Sequence, residues 1–267
     1  MGNRNDAIIL AIPIIEPTSH MTASSLILLI PDKPDSERDA LANAWGHCGG
    51  TVMRLGRFWD PPALDTNVVR VYGSTSFALV LKEKLGLSLC TPADDLILHL
   101  PFEAVKRRIR ANRLVEAKRF QYPLFVKPLV PKLFEAQVYL SADDLQRACQ
   151  GLGNATTILT SEIVTFLAEA RAFILDGEVL DCALYEGDGD VHAAHAAAVQ
   201  FARFPVLPRT LALDVGFVEG RGWAVIEMNA AWGAGLNGCQ AERIWPCIAA
   251  ASGAAPALVP PPRSTSL

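Results

Sequence analysis

No Cys-x-x-Cys pair and no paired spacing occurs among the six cysteines, Cys48, Cys90, Cys149, Cys182, Cys239 and Cys247. That excludes a disulfide framework and a zinc ribbon, and it fits reduced structural thiols in a cytoplasmic setting. No Gly-x-Gly-x-x-Gly opens a helix, so no dinucleotide fingerprint is present. Charge of one sign is also missing. The formal net charge is −4, which leaves no footprint for nucleic acid. The longest apolar run near the start, residues 7–15, is too short to span a bilayer, and Pro13 interrupts it. Arg4 ahead of that run resembles a signal peptide, but no small-residue cleavage site follows. Met21 is an alternative start to Met1. There is no internal repeat.

What is present is a chain of 267 residues, 51% of them hydrophobic. That is enough for one large or two small domains with a real core. From Leu26 the pattern alternates. Leu26 to Ile30, Thr51 to Leu55 and Val68 to Tyr72 read as strands. Asp35 to Cys48 reads as a helix stopped by Gly49-Gly50, and Ser74 to Leu85 as a helix stopped by Gly86. Strands alternating with helices imply a small, mostly parallel α/β unit. The turn from Tyr72 to Thr75 is either a strand-end ligand loop or an ordinary cap by Ser74. Phe102 to Phe120, dense in Lys and Arg, is expected to be a solvated helix that bridges two domains.

Leu124 to Lys127 reads as a strand that ends in a lysine before Pro128, and Lys132 follows in a loop. The lysines either meet an anion such as polyphosphate or lie on a wet edge. The loop between them has no glycine, so it is no Walker-type cradle. Asp143 to Gly151 reads as a helix and Thr157 to Leu159 as a strand. Asp176-Gly177 marks a hairpin that sets Glu169, Arg171 and Phe173 on one face, with Ala170, Ala172 and Ile174 on the other. Glu162 precedes Glu169 by seven residues.

The most informative stretch is Leu211 to Gly238. Glu219 to Gly222 is a turn, and symmetry about Gly220 and Arg221 sets Asp214 opposite Glu227 and Ala212 opposite Asn229. One face then carries Ala212, Asp214, Gly216, Val225, Glu227 and Asn229. The other carries Leu213, Val215, Phe217, Ala224, Ile226 and Met228. Like charges directly opposed destabilise a sheet, so the two carboxylates need a cation, a lysine or water between them. With Asn229 they form a set of hard oxygen donors suited to Mg²⁺ or Mn²⁺. The glycines of residues 230–238 permit close approach of backbone amides to an anion, or simply connect to a last helix from Glu242 to Ala251. His192 and His195 are either a metal pair or solvated residues at a helix start. The proline-rich residues 254–267 are expected to pack loosely.

The order of these parts resembles the ATP-grasp superfamily of carboxylate–amine ligases. A lysine at a strand end comes first, then an acidic hinge, a second glutamate, and Asp followed by Glu-x-Asn. The strings VKP, AEARAFILDG, DVGF, EMN and GAGLNGC are similar to a clade of small ATP-grasp proteins in which a customary arginine is lost and lysine substitutes. The resemblance implies an ATP-grasp α+β fold over residues 102–253 behind a small α/β domain over residues 22–101. It implies that Lys127 touches the α and β phosphates, and that Glu162 with the backbone of Ile163 and Val164 holds the adenine edge. Glu169 would bind the ribose hydroxyls. Asp214, Glu227 and Asn229 would ligate magnesium. Ala212 stands where most relatives keep an arginine, so Lys132 or Arg171 is expected to supply that charge. The usual glycine-rich lid is absent. The implied activity is ATP- and Mg²⁺-dependent ligation of a small-molecule or peptide carboxylate to an amine through an acyl phosphate. The alternatives are a nucleotide-binding module without turnover and a small-molecule kinase. No nucleic-acid or membrane partner is expected, and the oligomeric state is not legible.

Overall fold

The computed structural model describes residues 23–255. The apolar run at residues 7–15, the two candidate start residues and nearly all of the proline-rich tail lie outside that range.

The chain opens with β1 (Ile27–Pro31), α1 (Ser36–His47), β2 (Thr51–Leu55), β3 (Val69–Val71), α2 (Thr75–Leu85) and β4 (Leu87–Leu89). Local chemistry fixes these limits. The Asp35 carboxylate accepts from Arg38 N at the start of α1, and Ser74 Oγ accepts from Phe77 N at the start of α2. Gly86 ends α2 at φ 65°, where a side chain would be strained. The strands form a parallel sheet in the order β2-β1-β3, so the expected α/β unit is there.

The chain continues with α3 (Phe102–Val105), β5 (Ile109–Arg113), β6 (Leu124–Pro128), β7 (Gln137–Tyr139), α4 (Ala142–Ala148) and β8 (Thr157–Ser161). These strands make an antiparallel sheet in the order β5-β8-β6-β7. Here the structure corrects the expected bridging helix. Only one helical turn forms before Lys106 turns left-handed at φ 48°. The basic residues that follow lie on an edge strand, where outward charges deter pairing with another sheet, and then on a 3-10 segment, Leu114–Arg119.

The last third comprises β9 (Phe166–Leu175), β10 (Glu178–Gly187), α5 (Val191–Phe201), β11 (Thr210–Val218), β12 (Gly222–Asn229), α6 (Ala241–Ala250) and β13 (Ser252–Ala254). The second antiparallel sheet has the order β10-β9-β11-β12. Helix α5 covers one face with Ala194, Ala198 and Phe201 against Leu213, Val215 and Val225. Helix α6 covers part of the other face with Ile244 and Ile248 beside Phe173 and Ala212. The same helix completes the core of the α/β unit, where Trp245 meets Trp45 edge-on at 5.9 Å. Arg70 Nε donates to Ala249 O at 2.7 Å, and β13 pairs with β4. The C-terminal segment thus returns to the first unit and fixes it against the second sheet.

The β11–β12 hairpin has the expected pairs Asp214–Glu227 and Ala212–Asn229. Its turn, however, is one residue longer than a two-residue loop. Val218 pairs with Gly222, and Val215 with Val225, before a β-bulge at Ile226 restores the predicted register. The bulge also exchanges sides. Val225 joins the α5 face, and Ile226 leaves it for the open face, the reverse of the expected placement.

Candidate functional site

An apolar cavity of about 250 Å³ lies between the two antiparallel sheets. Ile109, Phe125, Val138 and Leu159 line it from the small sheet, and Phe166 and Ile226 from the large one. Gly216 keeps it open. A Cβ there would strike the Phe166 ring and the Ile226 Cδ1. The hinge residues Glu162, Ile163 and Val164 form the rim, outside either strand ladder. The Glu162 carboxylate is engaged by Arg221 Nη2 at 2.6 Å and by Arg108 N at 3.3 Å, so it anchors the hinge to the β11–β12 turn. The hydrogen bond from Arg221 holds that carboxyl below its usual range. Lys127 lies at the inner end of the cavity, with Nζ 3.7 Å from Glu227 Oε2.

Beyond Lys127 the open face of the large sheet carries the charged groups. Asp214 is 2% exposed. Arg171 on the neighbouring strand grips it with both prongs of its fork, Nε to Oδ1 at 2.7 Å and Nη2 to Oδ2 at 2.6 Å. Burial pushes the Asp214 carboxyl up while Arg171 pulls it back down. Asn229 Nδ2 donates to Asp214 Oδ2 at 3.2 Å and to Glu227 Oε1 at 2.9 Å. Glu169, on the same face, accepts from the Tyr185 hydroxyl at 2.6 Å, and burial together with this bond pushes the phenol far above its ordinary range.

Arg171 Nη1 donates to Gly235 O at 2.9 Å, which ties the glycine loop to the ion pair. From the other side Glu37, in the first turn of α1, accepts from Leu236 N and Asn237 N, both at 2.9 Å. Tyr72, at the β3 end, donates its hydroxyl to Ala234 O at 2.8 Å. Residues 234–237 are therefore held at four points by side chains from both units.

The structure thus brings Lys127, Glu169, Arg171, Asp214, Glu227 and Asn229 onto one surface beside the hinge, Glu162 to Val164. It does not bring Lys132 there. That residue sits exposed in the β6–β7 loop at φ 68°. Among the described residues no three His, Cys, Asp or Glu side chains gather as a metal site, His192 and His195 included. A magnesium site here rests on two carboxylates and one amide. Glu227, 43% exposed, and Asn229, once its amide turns its oxygen inward, fit a hard cation. Asp214 fits as the third donor when Arg171 yields one oxygen.

Sequence reading missed three residues. Arg107 looked like one more charge in a basic run, yet it is 7% exposed and lines the cavity. Burial lowers its pKa to about 10. Tyr185 falls between two ladder pairs, Leu184–Ala170 and Glu186–Glu169, where β10 is irregular. A symmetric hairpin would have put Leu184 beside Glu169. Glu37 reaches a partner 199 residues away, and no local pattern announces that.

Two antiparallel sheets that close an apolar cleft beside an Asp/Glu-x-Asn strand pair define an ATP-grasp fold. The chain belongs to family 2 of the arginine-to-lysine clade of ATP-grasp domains, whose model matches residues 105–246. Among solved structures it is similar to a RimK domain protein ATP-grasp from Sphaerobacter thermophilus DSM 20745 (TM-score 0.58, 17% identity, 84% of this chain and 98% of that chain). It is also similar to the ATP-grasp ligase PsnB solved with a minimal precursor, Mg and ADP (0.53, 12%, 85% and 98%). A third is the D-cycloserine synthetase DcsG (0.53, 18%, 84% and 98%). At these identities the likeness is one of fold. No curated protein matches the chain.

Proposed function

We propose that this protein is an ATP- and Mg²⁺-dependent ligase that joins a carboxylate to an amine through an acyl phosphate. The observation that carries the reading is the run from apolar cavity to Lys127 to the Arg171–Asp214–Asn229–Glu227 cluster on one continuous surface. The cavity suits a flat purine. Ile163 and Val164 offer backbone at its rim, and Glu169 stands where a ribose would lie. Lys127 neutralises phosphate charge, and Arg171 supplies the cation that Ala212 lacks. Glu227, Asn229 and Asp214 would hold magnesium, which when bound neutralises charge on the phosphoryl group in transfer. The Mg and ADP bound to PsnB support that assignment by analogy of fold.

The α/β unit over residues 22–101 supplies the other wall. Tyr72 and Glu37 reach the loop of residues 234–237, whose amides face an acyl group. The carboxylate and the amine would meet between that loop and the cluster, as small molecules or as ends of a peptide.

The test is ADP release from MgATP, or MnATP, with pooled amino acids and short peptides, followed by mass spectrometry of the products. ADP with a new amide supports the ligase, and Glu227→Ala abolishes both. ADP with a stable phosphorylated product assigns a kinase. Nucleotide binding without ADP release assigns a binding module. The full engagement of both Asp214 oxygens by Arg171 favours that last reading as the second choice.

A further inference from the structure

A regular strand turns successive carbonyls to opposite edges. β12 breaks this rule at one place. Val225 O and Ile226 O both accept from one guanidinium, Arg107 Nη1 at 2.7 Å and Nη2 at 3.1 Å. β12 is the outermost strand of its sheet, so no further strand takes these carbonyls. Nη1 also donates to Val105 O at 2.9 Å, which anchors the guanidinium to the end of α3. The Phe166 ring lies against it, 5.4 Å from Cζ to centroid. All the hydrogen-bond acceptors of Arg107 among the described residues are main-chain carbonyls.

The place is the bulge itself. From the turn to Val225 the ladder runs in a register that, if continued, would set Glu227 opposite Leu213 and Asn229 opposite Leu211. Both polar side chains would then point into the face covered by α5. One extra residue moves a whole strand to the other face. The bulge at Ile226 is what delivers Glu227 and Asn229 to Asp214.

From this we infer that Arg107 is a positioning residue for the cation-binding strand: it latches the β12 bulge and so aims Glu227 and Asn229 at the site. The inference rests on the ligase reading only for what the site binds. Arg107 acts through β12 and not on the nucleotide. It also joins the cavity wall to the metal donors, since the residue it latches, Ile226, lines the cavity. A lysine does not replace it, because an ammonium is a point donor and the two carbonyls need a fork.

The test compares wild type with Arg107→Lys and Arg107→Met. ADP affinity is measured by calorimetry with and without Mg²⁺, and hydrogen exchange is measured on the ligand-free protein. In both variants the gain in ADP affinity on adding Mg²⁺ falls by at least about tenfold, the size usual for residues that orient metal ligands. Metal-free ADP affinity stays within about threefold, and amides of β12 exchange faster while those of β1 do not. Arg107→Lys keeps the charge and stem, so it decides the matter where Arg107→Met fails to fold. An equal fall in metal-free and Mg²⁺-loaded affinity would make Arg107 a direct nucleotide contact and overturn the latch. Unchanged exchange at β12 would overturn it too. A wild type that binds no ADP would instead defeat the ligase reading, and the exchange data would still judge the latch.

Discussion

Replacing Arg171 with methionine is the sharpest perturbation of the site. The change keeps most of the side-chain volume and removes the fork that holds Asp214. Asp214 then stays buried with only the Asn229 amide as a partner. Breaking a buried pair by deleting one member costs roughly 3–5 kcal/mol, because the other charge is left without compensation. For a protein of this size, each kcal/mol moves the melting temperature by about 2–4 °C, so the expected fall is roughly 6–20 °C. The sign of the pH dependence is an independent check. Burial already raises the Asp214 carboxyl in the folded state, and loss of Arg171 raises it further. The folded variant then holds a proton that the unfolded chain, with its aspartate near about 3.9, has released. Stability of the variant therefore rises as pH falls from 8 toward 4, more steeply than in wild type. Removing both charges in Arg171→Met/Asp214→Leu restores most of the loss. Thermal and urea unfolding between pH 4 and 8 measure all three effects. A single variant that melts within about 2 °C of wild type, with no added pH slope, would refute the buried-pair account.

Three further outcomes follow from the same geometry. Lys127→Ala leaves the fold intact and weakens ATP binding by about ten- to a hundredfold, from a charge-assisted contact of roughly 1.5–3 kcal/mol; lowered melting with unchanged affinity would make Lys127 only the partner of Glu227. Lys132→Ala, at an exposed loop position, changes kcat by less than about twofold; a tenfold loss would show that the β6–β7 loop carries this lysine inward on closure. Glu37→Gln keeps the shape but replaces two charge-assisted bonds with neutral ones about half as strong, so the amides of Leu236 and Asn237 exchange faster in hydrogen-exchange measurements, and unchanged rates would show that the loop is held by Arg171 and Tyr72 alone.

Much of the fold was legible because local chemistry and period agree. Asp35, Ser74 and Gly86 mark helix ends by their capping chemistry, and the structure uses each in that way. The Asp176-Gly177 turn fixes β9 against β10 closely enough to place Glu169, Arg171 and Phe173 on one face. The basic stretch after Phe102 misled because charge density is read as solvation. One of its arginines is instead buried against main-chain carbonyls, and most of the others line an edge strand or the 3-10 segment after it. Composition gives no sign of which arginine faces inward. The fourfold hold on residues 234–237 was likewise invisible, since the side chains that make it lie 64 to 200 residues away in the chain.

The pair Asp214–Glu227 was foreseen from a hairpin of the wrong length, and the reason bears on how such sites arise. A two-residue turn about Gly220 and Arg221 gives the right partners only if the ladder is regular. The actual turn is longer, and a regular ladder after it would have turned Glu227 and Asn229 into the core. The bulge cancels the turn. Neither device leaves a mark in the sequence, because Ile226 is an ordinary strand residue and the latch, Arg107, lies 119 residues away. The pattern Asp…Glu-x-Asn is therefore a constraint on the side chains that must meet and says nothing of the backbone path between them. Turn length can change at such a hairpin as long as a bulge appears to restore the phase, and the residue that holds the bulge then becomes as necessary to the cation site as its ligands.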